Sequence, residues 1–309
     1  MGLELSSPYL ILRGYLYIMK NKIWEIFLFI GPSLLLLLVF TVLPVITSLF
    51  LSITDFNAYS FLDWSKTKII WFQNFIDVLH DDLFWKAVLN TFYAFILAYP
   101  LTIFFSLLFA FLLNREETYF KNFFRLLIYL PSVTSTIAIA VVWSWILNPK
   151  YGLLNWFLGL FGLPPQEWLS DTRWAMFVVV SLVVWKAIGP NMLLFIAGLQ
   201  GIPEELYESA EIDGANRWQQ FWYITLPGLR PVLLFVSVML GIGYLQLFEE
   251  PYMLTGGGPL NSTLSIVLYL YQKGFRAFEF GYASSVALIL FVMIFGLTYI
   301  QMKMRVFQD

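Results

Sequence analysis

Residues 203–231 read PEELYESAEIDGANRWQQFWYITLPGLRP. Glu204, Glu205, Glu208, Glu211 and Asp213 outnumber Arg217 and Arg230, and apolar residues recur between the charges. Long apolar runs lie on either side, at Trp174–Leu199 and Pro231–Phe248. A chain that keeps an acidic, amphipathic segment between two lipid-suited runs holds a polar surface at the water side of a membrane. A soluble partner can dock there. This reading makes the chain a helical membrane protein.

The rest of the sequence agrees. Of 309 residues, 60% are hydrophobic and only 12% charged, against about 25% charged in soluble domains. Aromatic residues make up 19%. With no cysteine, disulfides, thiolate metal sites and cysteine nucleophiles are excluded. His80 is the single histidine, which argues against a histidine metal site or a catalytic dyad. A formal charge of −2 gives no electrostatic case for nucleic acid binding.

A helical span needs roughly 20 apolar residues. Six runs qualify or nearly do: Ile26–Ile53, Ala87–Leu113, Leu126–Leu147, Trp174–Leu199, Pro231–Phe248 and Phe280–Met302. Lys186 is the one charged residue in all six. The first run is too long for the core of a signal peptide, about 7–15 residues, and is read as a retained span. No run shows the period-two polar face of a membrane strand. The expected fold is therefore an all-α polytopic membrane protein with six transmembrane helices. Six spans place both termini on one side. With that side cytoplasmic, inner segments carry ten Lys and Arg against seven outside, as the positive-inside rule asks. Trp24, Trp85 and Trp174 stand at run ends as interfacial anchors.

Two outer stretches, Tyr151–Leu163 and Leu260–Gln272, are apolar but too short to cross. Both are expected at the interface or on the outer face. Gly256–Gly258 is read as a flexible outer turn, since no Lys-Ser or Lys-Thr follows to make a phosphate loop.

Within 203–231, Pro203 suits a first helical position, and Glu204 and Glu205 favour the dipole of the opening turn. Gly214 is expected to stop this helix. A second short helix, roughly Arg217–Ile224, follows, and Pro227 and Pro231 re-aim the chain into the fifth span. Ser209 and Ala210 are small enough for a partner's groove to approach closely.

This segment resembles the signature loop of ABC importer membrane subunits: Glu-Ala-Ala, three residues, Gly, nine residues, Ile, one residue, Leu-Pro. Glu208, Ala210, Gly214, Ile224, Leu226 and Pro227 match at these spacings, and Ser209 replaces the first alanine. The extended form looks like the carbohydrate branch, the maltose-type permeases of the binding-protein-dependent transport inner-membrane component family. Leu254–Pro259, Phe275 and Gly281–Ser284 are similar to the region around that family's last span. Asn74–Phe75 and Asn90–Thr91 look like the approach to its second, and Pro44, Ser52 and Phe56 like its first.

The resemblance implies the type I importer fold with a cytoplasmic two-helix coupling loop. The spans themselves place a boundary near residue 86, between 1–86 (cytoplasmic N-terminus, first span and long outer loop) and a five-span remainder, and the resemblance makes 87–302 the transmembrane type-1 domain and 303–309 a cytoplasmic tail. It implies a non-enzymatic permease for a sugar or oligosaccharide in a bacterial or archaeal cytoplasmic membrane. The partners would be an ATPase dimer, which binds the ATP and Mg, a second homologous permease and an extracytoplasmic sugar-binding protein. The chain itself would hold no cofactor. Glu208, Ala210, Asp213, Gly214, Ile224, Leu226 and Pro227 would form the ATPase-coupling site. Lys186, Asn191, Tyr244, Gln246, Glu249 and Glu250 are candidates for the substrate path, since polar groups within or beside spans are costly. Helix–helix hydrogen bonding is the alternative role for Lys186 and Asn191. An ion-coupled secondary transporter would want mid-membrane carboxylates, and none of the six runs contains Asp or Glu. A membrane-embedded enzyme lacks a visible catalytic set.

Overall fold

The computed structural model describes residues 27–114 and 119–303. Trp24 and the basic residues Arg13, Lys20, Lys22, Arg115 and Arg305 lie outside the described residues. Helices account for every regular element described, apart from one isolated bridge between Thr54 and Ile69. A helix satisfies its own backbone polar groups, which lipid cannot do.

In chain order the helices are α1 (Phe27–Leu51), α2 (Gln73–His80), α3 (Asp82–Asn114), α4 (Lys121–Val133) and α5 (Thr136–Ile146). Then follow α6 (Leu153–Leu160), α7 (Ala175–Gln200), α8 (Glu204–Ile212), α9 (Arg217–Gln220) and α10 (Arg230–Leu245). The last three are α11 (Glu249–Leu254), α12 (Ile266–Tyr271) and α13 (Phe280–Lys303). Five stretches are long and apolar enough to cross a membrane: α1, α3, α7, Arg230–Leu254 and α13.

The sixth expected span, Leu126–Leu147, is not continuous. It is the pair α4 and α5, bent by 99° at Thr134–Ser135. Pro131 lies in α4 without an N–H to give to the helical ladder. The Ser132 and Thr134 hydroxyls donate to the Tyr129 and Leu130 carbonyls at 2.7 and 2.9 Å, offering the backbone an alternative to the next helical turn. The second span is also longer than its apolar run, because Asp81 accepts from the Leu83 amide at 2.7 Å and starts α3 ahead of Ala87.

One core joins α3, α7 and α10, with α4 packed on α7. Its closest crossing is at Gly189, where a Cβ would come within 2.5 Å of the Ile128 carbonyl oxygen. A second core lies where α12 and α13 meet the start of α3. The stretch Leu260–Gln272, expected at the interface or packed on the outer face, is packed and largely interior: Ile266, Leu268 and Tyr269 are buried. Tyr151–Leu163 does form a surface helix, α6, with Trp156 and Phe157 exposed. The Gly256–Gly258 turn is not loose. Gly256 and Gly257 take positive φ of 62° and 95°, and the turn is stitched by Thr255 Oγ1 to Thr263 Oγ1 at 2.6 Å.

The segments around this second core are tied down through their backbones. Asn74 donates its amide to the Ser52 and Thr54 carbonyls, both at 2.8 Å. Asn90 donates to the Asn261 and Leu264 carbonyls, and Thr91 Oγ1 accepts from the Ile266 amide at 3.0 Å. Asp81 accepts from the Tyr269 and Tyr282 hydroxyls at 2.7 and 3.2 Å. Burial pushes the Asp81 carboxyl up, but the Tyr269, Leu83, Tyr282 and Phe84 donors together outweigh it and hold the group below the usual carboxylate range.

Candidate functional site

Two places gather the candidate residues. The first is the polar loop. Pro203 stands one place earlier than expected, as the N-cap of α8 rather than its first helical residue, with Glu204 and Glu205 in the first turn. The helix ends in a Schellman turn. The Gly214 amide donates to Glu211 O at 3.0 Å and the Ala215 amide to Ala210 O at 2.8 Å. Gly214 has φ +76°, which other residues adopt only at a cost. The interval from Ala210 to Gly214 is thus the geometry of a helix stop.

Asn216 then caps α9 by exchanging hydrogen bonds with Gln219 at 2.9 and 2.8 Å. The expected end at Ile224 is overrun. A π-turn at Phe221–Thr225 and a helical turn at Leu226–Gly228 carry the chain into α10. Neither proline breaks this path: Pro227 directly follows the π-turn, and Pro231 sits in the first positions of α10, where no N–H is needed. Tyr207 Oη meets Thr225 Oγ1 at 2.9 Å and ties the two limbs together. Glu208, Asp213 and Gly214 are exposed on the loop. Ala210, Ile224, Leu226 and Pro227 are half-buried and belong to its underside.

The second place is a cavity of about 490 Å³ lined by Lys186, Tyr244, Gln246, Glu249 and Glu250, together with Ser132, Gly243 and Phe248. Five of the six expected path residues converge here. Asn191 does not: it is buried, and its amide donates to the Ala187 carbonyl of its own helix at 2.7 Å. Tyr244 is 5% exposed, its hydroxyl tied to Thr102 Oγ1 at 2.6 Å. Lys186 Nζ donates to Glu250 Oε1 at 2.9 Å and to Thr136 Oγ1 at 2.6 Å. Thr136 in turn donates to Glu249 Oε2 at 2.7 Å. A lysine in a span thus finds its counter-charge just past the end of α10. Sequence reasoning missed Ser132 and Thr136. The hydroxyl-rich PSVTST at 131–136, inside an otherwise apolar run, was the available signal. Among the described residues no group of His, Cys, Asp and Glu could hold a metal ion.

Comparison with known proteins adds three kinds of likeness. A sequence model described as binding-protein-dependent transport system inner membrane component matches residues 84–306. Lactose transport system permease protein LacF of Rhizobium radiobacter is 35% identical over 279 residues, 89% of this chain and 91% of that protein. Arabinooligosaccharides transport system permease protein AraP of Bacillus subtilis (strain 168) is 34% identical, covering 90% and 87%. Trehalose/maltose transport system permease protein MalF of Thermococcus litoralis is 33% identical, covering 91% and 94%. Among solved structures, a chain of a bacterial alginate ABC transporter, in complex with an alginate pentasaccharide-bound periplasmic protein, superposes with a TM-score of 0.79. That match covers 94% of this chain and 96% of that one. Its 23% identity makes it a likeness of fold.

Proposed function

The chain belongs to the family of binding-protein-dependent transport system inner membrane components, and from that premise we propose that it carries a sugar or oligosaccharide inward as one of two paired permeases. It is a transport subunit and not an enzyme. The observation that carries the reading is the exposed acidic loop, held by the Schellman turn at Gly214 and rooted in the bundle by Ile224, Leu226 and Pro227. The sugar class is supported by the lactose, arabinooligosaccharide and trehalose/maltose permeases to which the chain is similar over most of its length.

In this reading a separate ATPase dimer, which binds ATP and Mg, grips α8 and α9 through Glu208, Ala210, Asp213 and Gly214. Closure of that dimer moves the loop. The π-turn and the helical turn at Leu226–Gly228 pass the motion directly into α10, because the chain stays helical from Arg217 to Leu245 apart from one residue, Leu229. Lys186, Tyr244, Gln246, Glu249 and Glu250 face the solute. Carboxylates and amides match sugar hydroxyls, and Phe248 offers a flat face to C–H patches. An extracytoplasmic binding protein delivers the solute. Residues 1–86 form the N-terminal segment with the first span and outer loop, 87–302 the transport domain and 303–309 the tail, with both termini cytoplasmic.

The test is reconstitution of the chain with its ATPase, second permease and binding protein, scored with lactose, trehalose, maltotriose and an arabinotriose. ATP-dependent uptake of at least one is expected, and withholding the ATPase should abolish it. Uptake by the chain alone, without nucleotide, would replace this function with ion-coupled transport. The topology has its own check. Ile212 is 86% exposed on α8, in a chain without cysteine. Ile212→Cys should react with an impermeant maleimide only when the cytoplasmic side is opened. Labelling of intact cells would invert the threading.

A further inference from the structure

The ion pair at Lys186 has a second consequence. The 490 Å³ cavity is adjoined by another of about 560 Å³, lined by residues 132–137, Lys186, Phe248, Glu249 and Met253. The two share Ser132, Lys186, Phe248 and Glu249. The Lys186–Glu250 pair and the Lys186–Thr136–Glu249 chain of hydrogen bonds therefore stand where one cavity meets the other. They join three separate elements: the head of α5 just past the bend, the middle of α7, and α11. The Lys186 and Glu250 side chains are 17% and 12% exposed.

We propose that this bridge is a latch across the solute path, opened by an uncharged, hydroxylated solute and closed to an anionic one. The inference rests on the reading of these cavities as the path. Sugar hydroxyls donate as well as accept, so they can take over the bonds to Glu249 and Glu250 and accept from Lys186. The bonds are exchanged and no buried charge is left bare, which would be costly. A carboxylated or phosphorylated solute has no such exchange. Lys186 is the single cation among the described residues lining the two cavities, facing two carboxylates. An anion that took Lys186 would leave Glu249 and Glu250 against each other and against itself. Discrimination by unmatched charge is the repulsive half of specificity. The bend at Thr134–Ser135 supplies the moving part, because half-helices α4 and α5 can pivot where a straight span could not.

The experiment uses the assembled transporter. Met253, 37% exposed, lines the 560 Å³ cavity alone, and Leu240, 7% exposed, lines the 490 Å³ cavity alone. A single cysteine at either position is the only one in this chain. With outside-applied trimethylammonioethyl methanethiosulfonate, Met253→Cys should react readily and Leu240→Cys slowly. Lys186→Gln or Glu250→Gln should speed reaction at Leu240→Cys by about tenfold or more, as expected when the closed state loses a buried contact. Lys186→Glu combined with Glu250→Lys should restore slow labelling, which shows that the single variants fold and that pairing is the cause. In the Lys186→Gln background the anionic sulfonatoethyl reagent should lag the cationic one by about tenfold, after correction for their rates with a free thiol. Unchanged labelling at Leu240→Cys in both single variants overturns the latch, and equal corrected rates overturn the charge selection. Failure of Met253→Cys to react from outside would instead sink the path reading beneath it.

Discussion

Lysine in place of Glu208 is expected to leave the chain inserted in the membrane and ATP-driven uptake lost. Glu208 is exposed on α8, and among the described residues its carboxylate has no hydrogen-bond or ion-pair partner within the chain. Surface substitutions of this kind move stability by about ±0.5 kcal/mol, so yield and melting behaviour should match the unaltered chain. The effect falls on docking. A carboxylate aimed at a basic or backbone donor makes a charge-assisted bond. Reversing its sign places like charges together, at a cost of several kcal/mol. A loss of about 3 kcal/mol lowers coupling more than about 100-fold. The readout is solute-stimulated ATP hydrolysis by the reconstituted complex, measured beside the affinity of the ATPase for the permease pair. The ATPase should release from the variant, and hydrolysis should no longer respond to loaded binding protein. Full stimulation with Glu208→Lys would move the docking site elsewhere on the loop. Ser209 offers a matched control. Its hydroxyl is already spent on the Glu205 carbonyl at 2.7 Å, so Ser209→Ala should leave coupling nearly unchanged.

The sequence disclosed the spans because lipid leaves the backbone few choices. A run of twenty apolar residues facing lipid must close its own backbone hydrogen bonds, and five of the six runs do so as continuous helices, Leu126–Leu147 being the broken one. It disclosed the loop for a related reason: Gly214 and Ala210 sit at a helix-stop interval that local hydrogen bonding alone dictates. What it hid depends on pairs of distant residues. Leu260–Gln272 reads as an interfacial piece by length and hydropathy. Its burial follows from Asn90 and Thr91, about 175 residues earlier, which satisfy the carbonyls and an amide of this stretch. Asn74, Asn90 and Thr91 carried the family resemblance as isolated letters. The fold shows them as the groups that close otherwise open backbone between the spans.

The candidate path was legible by halves. Lys186, Glu249 and Glu250 stood out as charge in or next to apolar runs, and they do meet. Thr136 did not stand out, since a hydroxyl is cheap to place in a helix and Leu126–Leu147 passed as one span. Its role comes from the 99° bend, which no periodicity reveals. Asn191 stands apart from the cavity. A polar residue in a span signals a partner, and here the partner is the carbonyl one turn earlier.

Alanine at Gly189 should damage both the bundle and the path. A methyl group there would lie 2.5 Å from the Ile128 carbonyl oxygen and 2.6 Å from the Tyr129 Cα. Both are backbone atoms, so no side chain can rotate away, and α4 must shift from α7. Overpacking of this sort costs about 1–3 kcal/mol or more, and small residues at such crossings are what let membrane helices approach. The shift reaches function because Gly189 follows Lys186 by three residues and Ile128 precedes Ser132 by four. The α4–α7 contact therefore sets the reach from Lys186 to Thr136. Gly189→Ala is expected to lower the melting midpoint of the detergent-solubilised chain by about 5 °C and to reduce uptake with it. Gly296→Ala is the matched comparison, because a Cβ there meets nothing within 4 Å on the mid-face of α13. It should leave uptake intact and hold or raise the midpoint, since alanine favours a helix over glycine by about 1 kcal/mol. If the two variants melt alike, the α4–α7 crossing is looser than the 2.5 Å approach requires, and the position of Thr136 must be set from α11 instead.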